Sequence, residues 1–148
     1  MGQEIFMNKI LRILCLEDCS SDAELVEYEL KEAGINFTVL TVMRENEYVK
    51  ALREFSPHII LSDYNLPQYD GTRALVEAKA RCPAAPFILV TGEVGEDLAR
   101  EMLANGAQDC VMKDQLYRLA PVVQKALAEA QENISLTRAK PSLSRAGK

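Results

Sequence analysis

Five apolar runs, rich in β-branched residues, punctuate the chain: Ile10 to Leu16, Phe37 to Val42, Ile59 to Leu61, Phe87 to Val90 and Cys110 to Met112. Four of them are continuous rather than alternating, the pattern of strands covered on both faces. Between them the apolar positions repeat at helical spacing. The first set is Leu25, Val26, Leu30 and Ala33, with Ser21 and Glu24 placed as a capping box and Gly34 as the stop. Tyr48, Leu52 and Phe55 predict a second helix, and Ala74, Leu75 and Ala78 a third, opened by Asp70. Leu98, Met102 and Leu103, stopped by Gly106, predict a fourth. A last helix carries Leu119, Val123, Ala126, Leu127 and Ala130 and is expected to run to Ile134, with Pro121 tolerated in its first turn. Strand and helix alternating five times imply right-handed crossovers. They predict an α/β, doubly wound, five-stranded parallel sheet with its ligand crevice at the carboxyl ends of the strands.

The residues that follow the strands are Glu17 and Asp18 after the first, Asp63 after the third, Thr91 after the fourth and Lys113 after the fifth. Carboxylates about 4 Å apart repel by roughly 4 kcal/mol per pair at an effective dielectric near 20, so such a group recruits a cation. Oxygen donors suit Mg²⁺, with Mn²⁺ as a second choice. Mg²⁺ prefers one or two carboxylates, waters and a phosphate oxygen, which points to phosphoryl transfer rather than a caged structural metal. In that chemistry Asp63 is the candidate nucleophile, and Thr91 and Lys113 the groups that hold the transferred oxygens.

Composition narrows the class. The 148 residues are 48% hydrophobic and 26% charged, with a net charge of −5. That is the size and balance of one soluble domain, able to bury roughly two-thirds of its unfolded surface without disulfides or a structural metal. Cys15, Cys19, Cys82 and Cys110 contain no CxxC pair, and His58 is the one histidine, so no structural zinc spacing exists. Reduced thiols are expected, with Cys15 and Cys19 as small buried filler. No apolar run is long enough to span a bilayer and no secretory leader pattern opens the chain, so a cytoplasmic protein without membrane contact is expected. The acidic balance argues against a nucleic-acid surface on the domain. It is also uneven: Arg138, Lys140, Arg145 and Lys148 fall in a Pro, Gly and Ser-containing stretch after Ser135, leaving the first 134 residues at −9. The expected organisation is a flexible flank at 1–9, one domain at 10–134, and a disordered basic tail, linker or expression remnant at 135–148.

LEDCSSD, LSDYNLPQYDG, LVTGE and GAQDCVMKD together resemble the receiver domain of two-component response regulators, over about residues 10–134. The spacing agrees as well: Asp18 to Asp63 is 45 positions, Asp63 to Thr91 is 28, and Thr91 to Lys113 is 22. The resemblance implies a flavodoxin-like (βα)5 fold of strand order 2-1-3-4-5, the fold of CheY-like phosphoproteins. It implies Asp63 as phosphoacceptor, metal ligation by Glu17, Asp18, Asp63 and the backbone carbonyl of Asn65, and Thr91 and Lys113 as the switch pair. Asn65 and Glu93 match the variable pair that tunes attack of water on the acyl phosphate. A sensor histidine kinase or phosphotransfer domain is the implied donor, and the lone His58, at the start of a strand about 16 Å from Asp63, cannot stand in for it. The face of the fourth helix, fifth strand and fifth helix is the implied contact for a downstream protein or fused domain. A phosphorylation-dependent dimer is one form the response can take.

Two departures stand out. Cys110 occupies the position where the family has a switching aromatic. Asp114, not proline, follows Lys113, so that peptide bond is expected to be trans. The variant resembles receiver modules of hybrid or multidomain sensory histidine kinases. A dinucleotide-binding fold is excluded by the absence of GxGxxG after the first strand. A Mg²⁺-dependent aspartyl-phosphate phosphohydrolase usually carries its nucleophile after strand one, not strand three. A docking-only receiver is disfavoured because all five site residues are present. The domain is therefore read as a signalling module, not an enzyme, beyond self-catalysed phosphoryl uptake and loss.

Overall fold

The computed structural model describes residues 10–66, 69–92 and 95–131. The expected flanks at 1–9 and 135–148, the helix end at Ile134, and Glu93 lie outside the described residues. Five parallel strands form one sheet: β1 (Leu11–Leu16), β2 (Phe37–Val42), β3 (Ile59–Ser62), β4 (Phe87–Thr91) and β5 (Asp109–Met112). Their order is β2-β1-β3-β4-β5, as expected. The connecting helices are α1 (Ser20–Glu32), α2 (Glu45–Glu54), α3 (Gly71–Arg81) and α4 (Glu96–Ala104). After β5 the chain makes a 3-10 stretch, Lys113–Arg118, and then α5 over residues 119–131. Pro121 sits in the first turn of α5, where its missing N–H costs nothing.

Alternation along each strand sends neighbouring residues to opposite faces, and this builds two cores. Leu14, Leu16, Ile60, Phe87 and Leu89 join Tyr48, Leu52, Leu75 and Met102 on the face covered by α2, α3 and α4. Ile13, Ile59, Leu61, Ile88, Val90 and Val111 join Val26, Leu30, Val123 and Leu127 on the face covered by α1 and α5. The central strands are buried throughout. Coverage is thinner at the edges: β2 alternates over its first four residues, and in β5, where the apolar run predicts two covered faces, only Val111 is buried. An edge strand has a neighbour on one side only, so even an apolar run there is half covered.

Local details correct several further expectations. Ile10 precedes β1 and is 56% exposed. Ser21 and Glu24 do not form a capping box: α1 starts two residues earlier, with Cys19 at the N-cap and no side-chain cap bond. The other end behaves as expected. Gly34 takes φ +79°, and Gly34 N–H and Ile35 N–H reach back to Lys31 O and Leu30 O. Leu25 and Leu103 point outward at 52% and 45% exposure, beside the inward Val26 and Met102. Asp70 caps α3 as expected, accepting from Arg73 N–H at 2.9 Å. Just before it, Asn65–Leu66 and Tyr69–Asp70 pair as a short antiparallel hairpin that periodicity did not predict. Gly71 lets this loop close: a Cβ there would lie 3.1 Å from the Tyr64 Cα. No described peptide bond is cis, so Lys113 to Asp114 is trans as expected. Among the described residues no helix is long and apolar enough to cross a membrane.

Candidate phosphoacceptor site

Register brings the candidate residues together. Leu16 pairs with Ser62, so the residues that follow, Glu17 and Asp63, leave adjacent strands side by side. Their backbones are fixed by the last ladder bonds: Glu17 N–H donates to Val42 O and Asp63 N–H to Leu16 O, both at 2.9 Å. Asp18 follows Glu17 into the loop and is exposed, while Glu17 and Asp63 are buried. Carboxylate oxygens of Glu17, Asp18 and Asp63 lie within 4.8 Å of one another. Thr91 ends β4 beside Met112 of β5, and the chain then delivers Lys113 across the mouth of the cluster.

Lys113 Nζ lies 2.8 Å from Glu17 Oε1, 3.0 Å from Asp63 Oδ2 and 2.7 Å from Asp22 Oδ2. Asp22 had no role in the sequence reading although it ends the LEDCSSD motif. The available signal was its place in the first turn of α1, four positions after Asp18, which turns it toward the same crevice. Three carboxylates thus share one ammonium, and Asp18 adds a fourth negative charge to the same crevice. Asp63 Oδ1 accepts from Tyr64 N–H at 2.7 Å and Glu17 Oε2 from Cys19 N–H at 3.1 Å.

The electrostatics follow from this crowding. Burial pushes the Glu17 carboxyl above its usual range, and the contacts with Lys113 and Cys19 only partly offset it. For Lys113 burial favours the neutral amine, but the contacts with Asp22, Glu17 and Asp63 outweigh it and hold the group firmly charged. The Lys113 hydrogen bond keeps Asp22 below the ordinary carboxylate range. Thr91 is 1% exposed and its Oγ1 has no hydrogen-bond partner among the described residues. A buried hydroxyl without a partner costs roughly 1–3 kcal/mol, so an arriving acceptor has something to gain there.

The donor set fits Mg²⁺: three clustered carboxylates, all oxygen, with Asp18 open to solvent. Asn65 sits exposed on the first arm of the hairpin, two residues past Asp63. Cys110 is half-buried on β5 and packs against the core under α2 to α4, as filler does, and burial raises its thiol pKa. His58 opens β3, its Nδ1 accepting from Arg12 N–H at the far end of the sheet. Cys15 is buried as expected, whereas Cys19 is exposed, with its Sγ 3.2 Å from Ser21 Oγ. The correction has a simple cause: Cys19 is the N-cap of α1 and lies beyond the sheet.

Comparison with known proteins places these features. A family profile described as the response regulator receiver domain matches residues 13–124. The DNA-binding transcriptional regulator NtrC of Salmonella typhimurium is 31% identical over 118 residues, covering 79% of this chain and 25% of that protein. The cell cycle transcriptional regulator CtrA of Caulobacter vibrioides is 29% identical over 129 residues, covering 84% of this chain and 55% of that protein. The chain therefore spans about a quarter to a half of these relatives. Among solved structures, the signal receiver domain of a LuxO repressor protein from Vibrio parahaemolyticus superposes with a TM-score of 0.78 at 23% identity, covering 86% of this chain and 98% of that one. The receiver domain of a sensor histidine kinase from Pseudomonas aeruginosa, with a magnesium ion coordinated in the active site cleft, gives a TM-score of 0.69 at 25% identity. It covers 81% of this chain and 99% of that one.

Proposed function

The chain belongs to the response regulator receiver family, and on that premise we propose that it accepts a phosphoryl group on Asp63 and passes the signal on through protein contact. The observation that carries this reading is the meeting at one end of the sheet of Asp63, Lys113 and the Thr91 hydroxyl, which has no hydrogen-bond partner among the described residues. An Asp63 carboxylate oxygen attacks phosphorus of a phosphohistidine on a separate kinase or phosphotransfer domain. The new O–P bond forms as the N–P bond breaks, and the departing imidazole takes a proton from solvent. Lys113 and Thr91 then donate to the phosphoryl oxygens, which satisfies the buried hydroxyl. Glu17, Asp18, Asp63 and the Asn65 carbonyl would hold Mg²⁺ or Mn²⁺, which supplies charge neutralisation for the transferring group. Asn65 and Glu93 set how readily water reaches the acyl phosphate.

Movement of Thr91 toward the phosphoryl group reshapes the face made by α4, β5 and α5, the proposed contact for a partner, a fused domain or a second copy. With Cys110 on β5, no aromatic swing carries that change; it travels through the β4 backbone or another side chain. The domain, proposed to span 10–134, is proposed to work in the cytoplasm. DNA binding is named for NtrC; the proposal for the strongly acidic stretch here includes no direct nucleic-acid contact. Similarity to the receiver of a sensor histidine kinase also supports a second reading, a module of a hybrid kinase.

Acetyl phosphate with Mg²⁺ tests the proposal. Wild type should accumulate roughly one acid-stable, base-labile phosphoryl group per chain, and none without Mg²⁺, while Asp63→Asn should take up none and keep its fold. Rapid multiple turnover would instead indicate a phosphohydrolase, and undiminished labelling of Asp63→Asn would place the acceptor elsewhere.

A further inference from the structure

The nearest partner of Lys113 is neither the phosphoacceptor nor a member of the three-carboxylate cluster but Asp22, at 2.7 Å. Resting on the reading of Asp63 as phosphoacceptor, we propose that Asp22 is a positioning residue that tethers Lys113 in the unphosphorylated protein and is the partner Lys113 gives up when a phosphoryl group arrives.

The three partners of Lys113 differ in what leaving them would cost. The Glu17 and Asp63 side chains are 4% and 10% exposed, so a carboxylate abandoned there stays in a poorly solvated place. The Asp22 side chain is 31% exposed, at the start of α1, where water replaces the ammonium and the helix N-terminus favours the negative charge. An ammonium has three donors, and three carboxylates already surround it. A phosphoryl oxygen therefore enters by displacing one of them, and Asp22 is the one whose release costs least. Asp22 acts on the unphosphorylated state alone. It slows uptake by holding Lys113 toward α1, and it has no grip once the acyl phosphate has formed.

Rate measurements separate this from a simple charge effect. Asp22→Ala should take up phosphate from acetyl phosphate and Mg²⁺ about fivefold faster than wild type, while the rate at which its acyl phosphate hydrolyses stays within about twofold. Asp22→Asn, isosteric and still a weak acceptor, should shift uptake the same way by a smaller factor, and it carries the test should Asp22→Ala fail to fold. Uptake and hydrolysis rising together would report only the loss of a nearby negative charge and overturn the tether. Uptake unchanged or slowed, with a lowered melting temperature, would make Asp22 merely structural and overturn it as well. A wild-type protein that takes up no phosphate would instead bring down the reading of Asp63 as phosphoacceptor, and the tether with it.

Discussion

The two ends of the sheet handle charge in opposite ways. At the amino-terminal end, Arg12, Arg53, Arg81 and His58 line an open hollow of about 640 Å³. Arg12 there is committed to the backbone. Its Nε donates to Phe55 O at 3.1 Å and Ser56 O at 2.8 Å, its N–H to His58 Nδ1 at 2.9 Å, and its carbonyl accepts from His58 N–H at 2.8 Å. Arg81 pairs within its own helix with Glu77 at 2.8 Å. At the carboxyl end one ammonium serves three carboxylates with a fourth beside them, and a buried hydroxyl has no partner among the described residues. The first arrangement closes the fold, tying the α2–β3 turn to β1. The second is short of positive charge and of one acceptor, and a phosphoryl group with its cation supplies both.

If that contrast holds, the largest single effect on stability comes from Lys113. Lys113→Met leaves Glu17 and Asp63 buried without compensation and should destabilise the protein at neutral pH by about 3 kcal/mol, read from urea unfolding without divalent ions. The pH dependence has a definite sign. The Glu17 carboxyl is already raised in the folded state, and losing Lys113 raises it further. A group with a raised folded pKa binds its proton more tightly when folded, so its stabilising contribution is complete at low pH and is lost as pH rises through the folded pKa. The deficit of Lys113→Met should therefore shrink as pH falls toward 5. A midpoint equal to wild type at pH 7 would mean that water already relaxes these charges, and the contrast between the two ends would fail.

Arg12→Met makes the opposite test with a smaller number. Losing its two hydrogen bonds to the Phe55 and Ser56 carbonyls should cost about 1–2 kcal/mol of stability and leave the rate of phosphoryl uptake within error of wild type. A variant with normal stability and impaired uptake would show that the hollow is coupled to the site across the sheet.

Much of this contrast was legible in the chain, because strand ends are strongly encoded. A buried parallel strand needs an apolar run, and the first polar residue after it marks the crevice. That rule located Glu17, Thr91 and Lys113 from the chain alone, and Asp63 one residue past the first polar position, Ser62. Asp22 escaped it because it stands on a helix, where an acidic residue in the first turn has an ordinary explanation in the helix dipole; its reach to Lys113, 91 positions away, depends on the packing of α1. Cys19 and the capping residues escaped for a related reason. Ser21 and Glu24 fit a capping box as letters, yet the helix begins at Ser20 with Cys19 as its N-cap, and two residues of offset move both off their positions. The hairpin at Asn65–Asp70 has two residues per arm, too short for any periodicity to register.

The smallest expected effect compares two residues on either side of the acidic pair. Cys15 is 4% exposed on β1 and burial pushes its thiol up to about 12, whereas Cys19 is exposed at the start of α1. The thiolate is the reactive form, so at pH 8 Cys15 presents only about one part in ten thousand of it. Iodoacetamide should modify Cys19 first, and Cys15 only at the rate of global unfolding. Burial also raises the thiols of the half-buried Cys82 and Cys110, which should fall between. Cys19→Ser should remove the fast phase while changing stability by less than about 0.5 kcal/mol. Cys15 reacting as fast as Cys19 in the folded protein would mean that the end of β1 opens locally, and a strand end that opens could not hold Glu17 and Asp63 close enough for one ammonium to serve both.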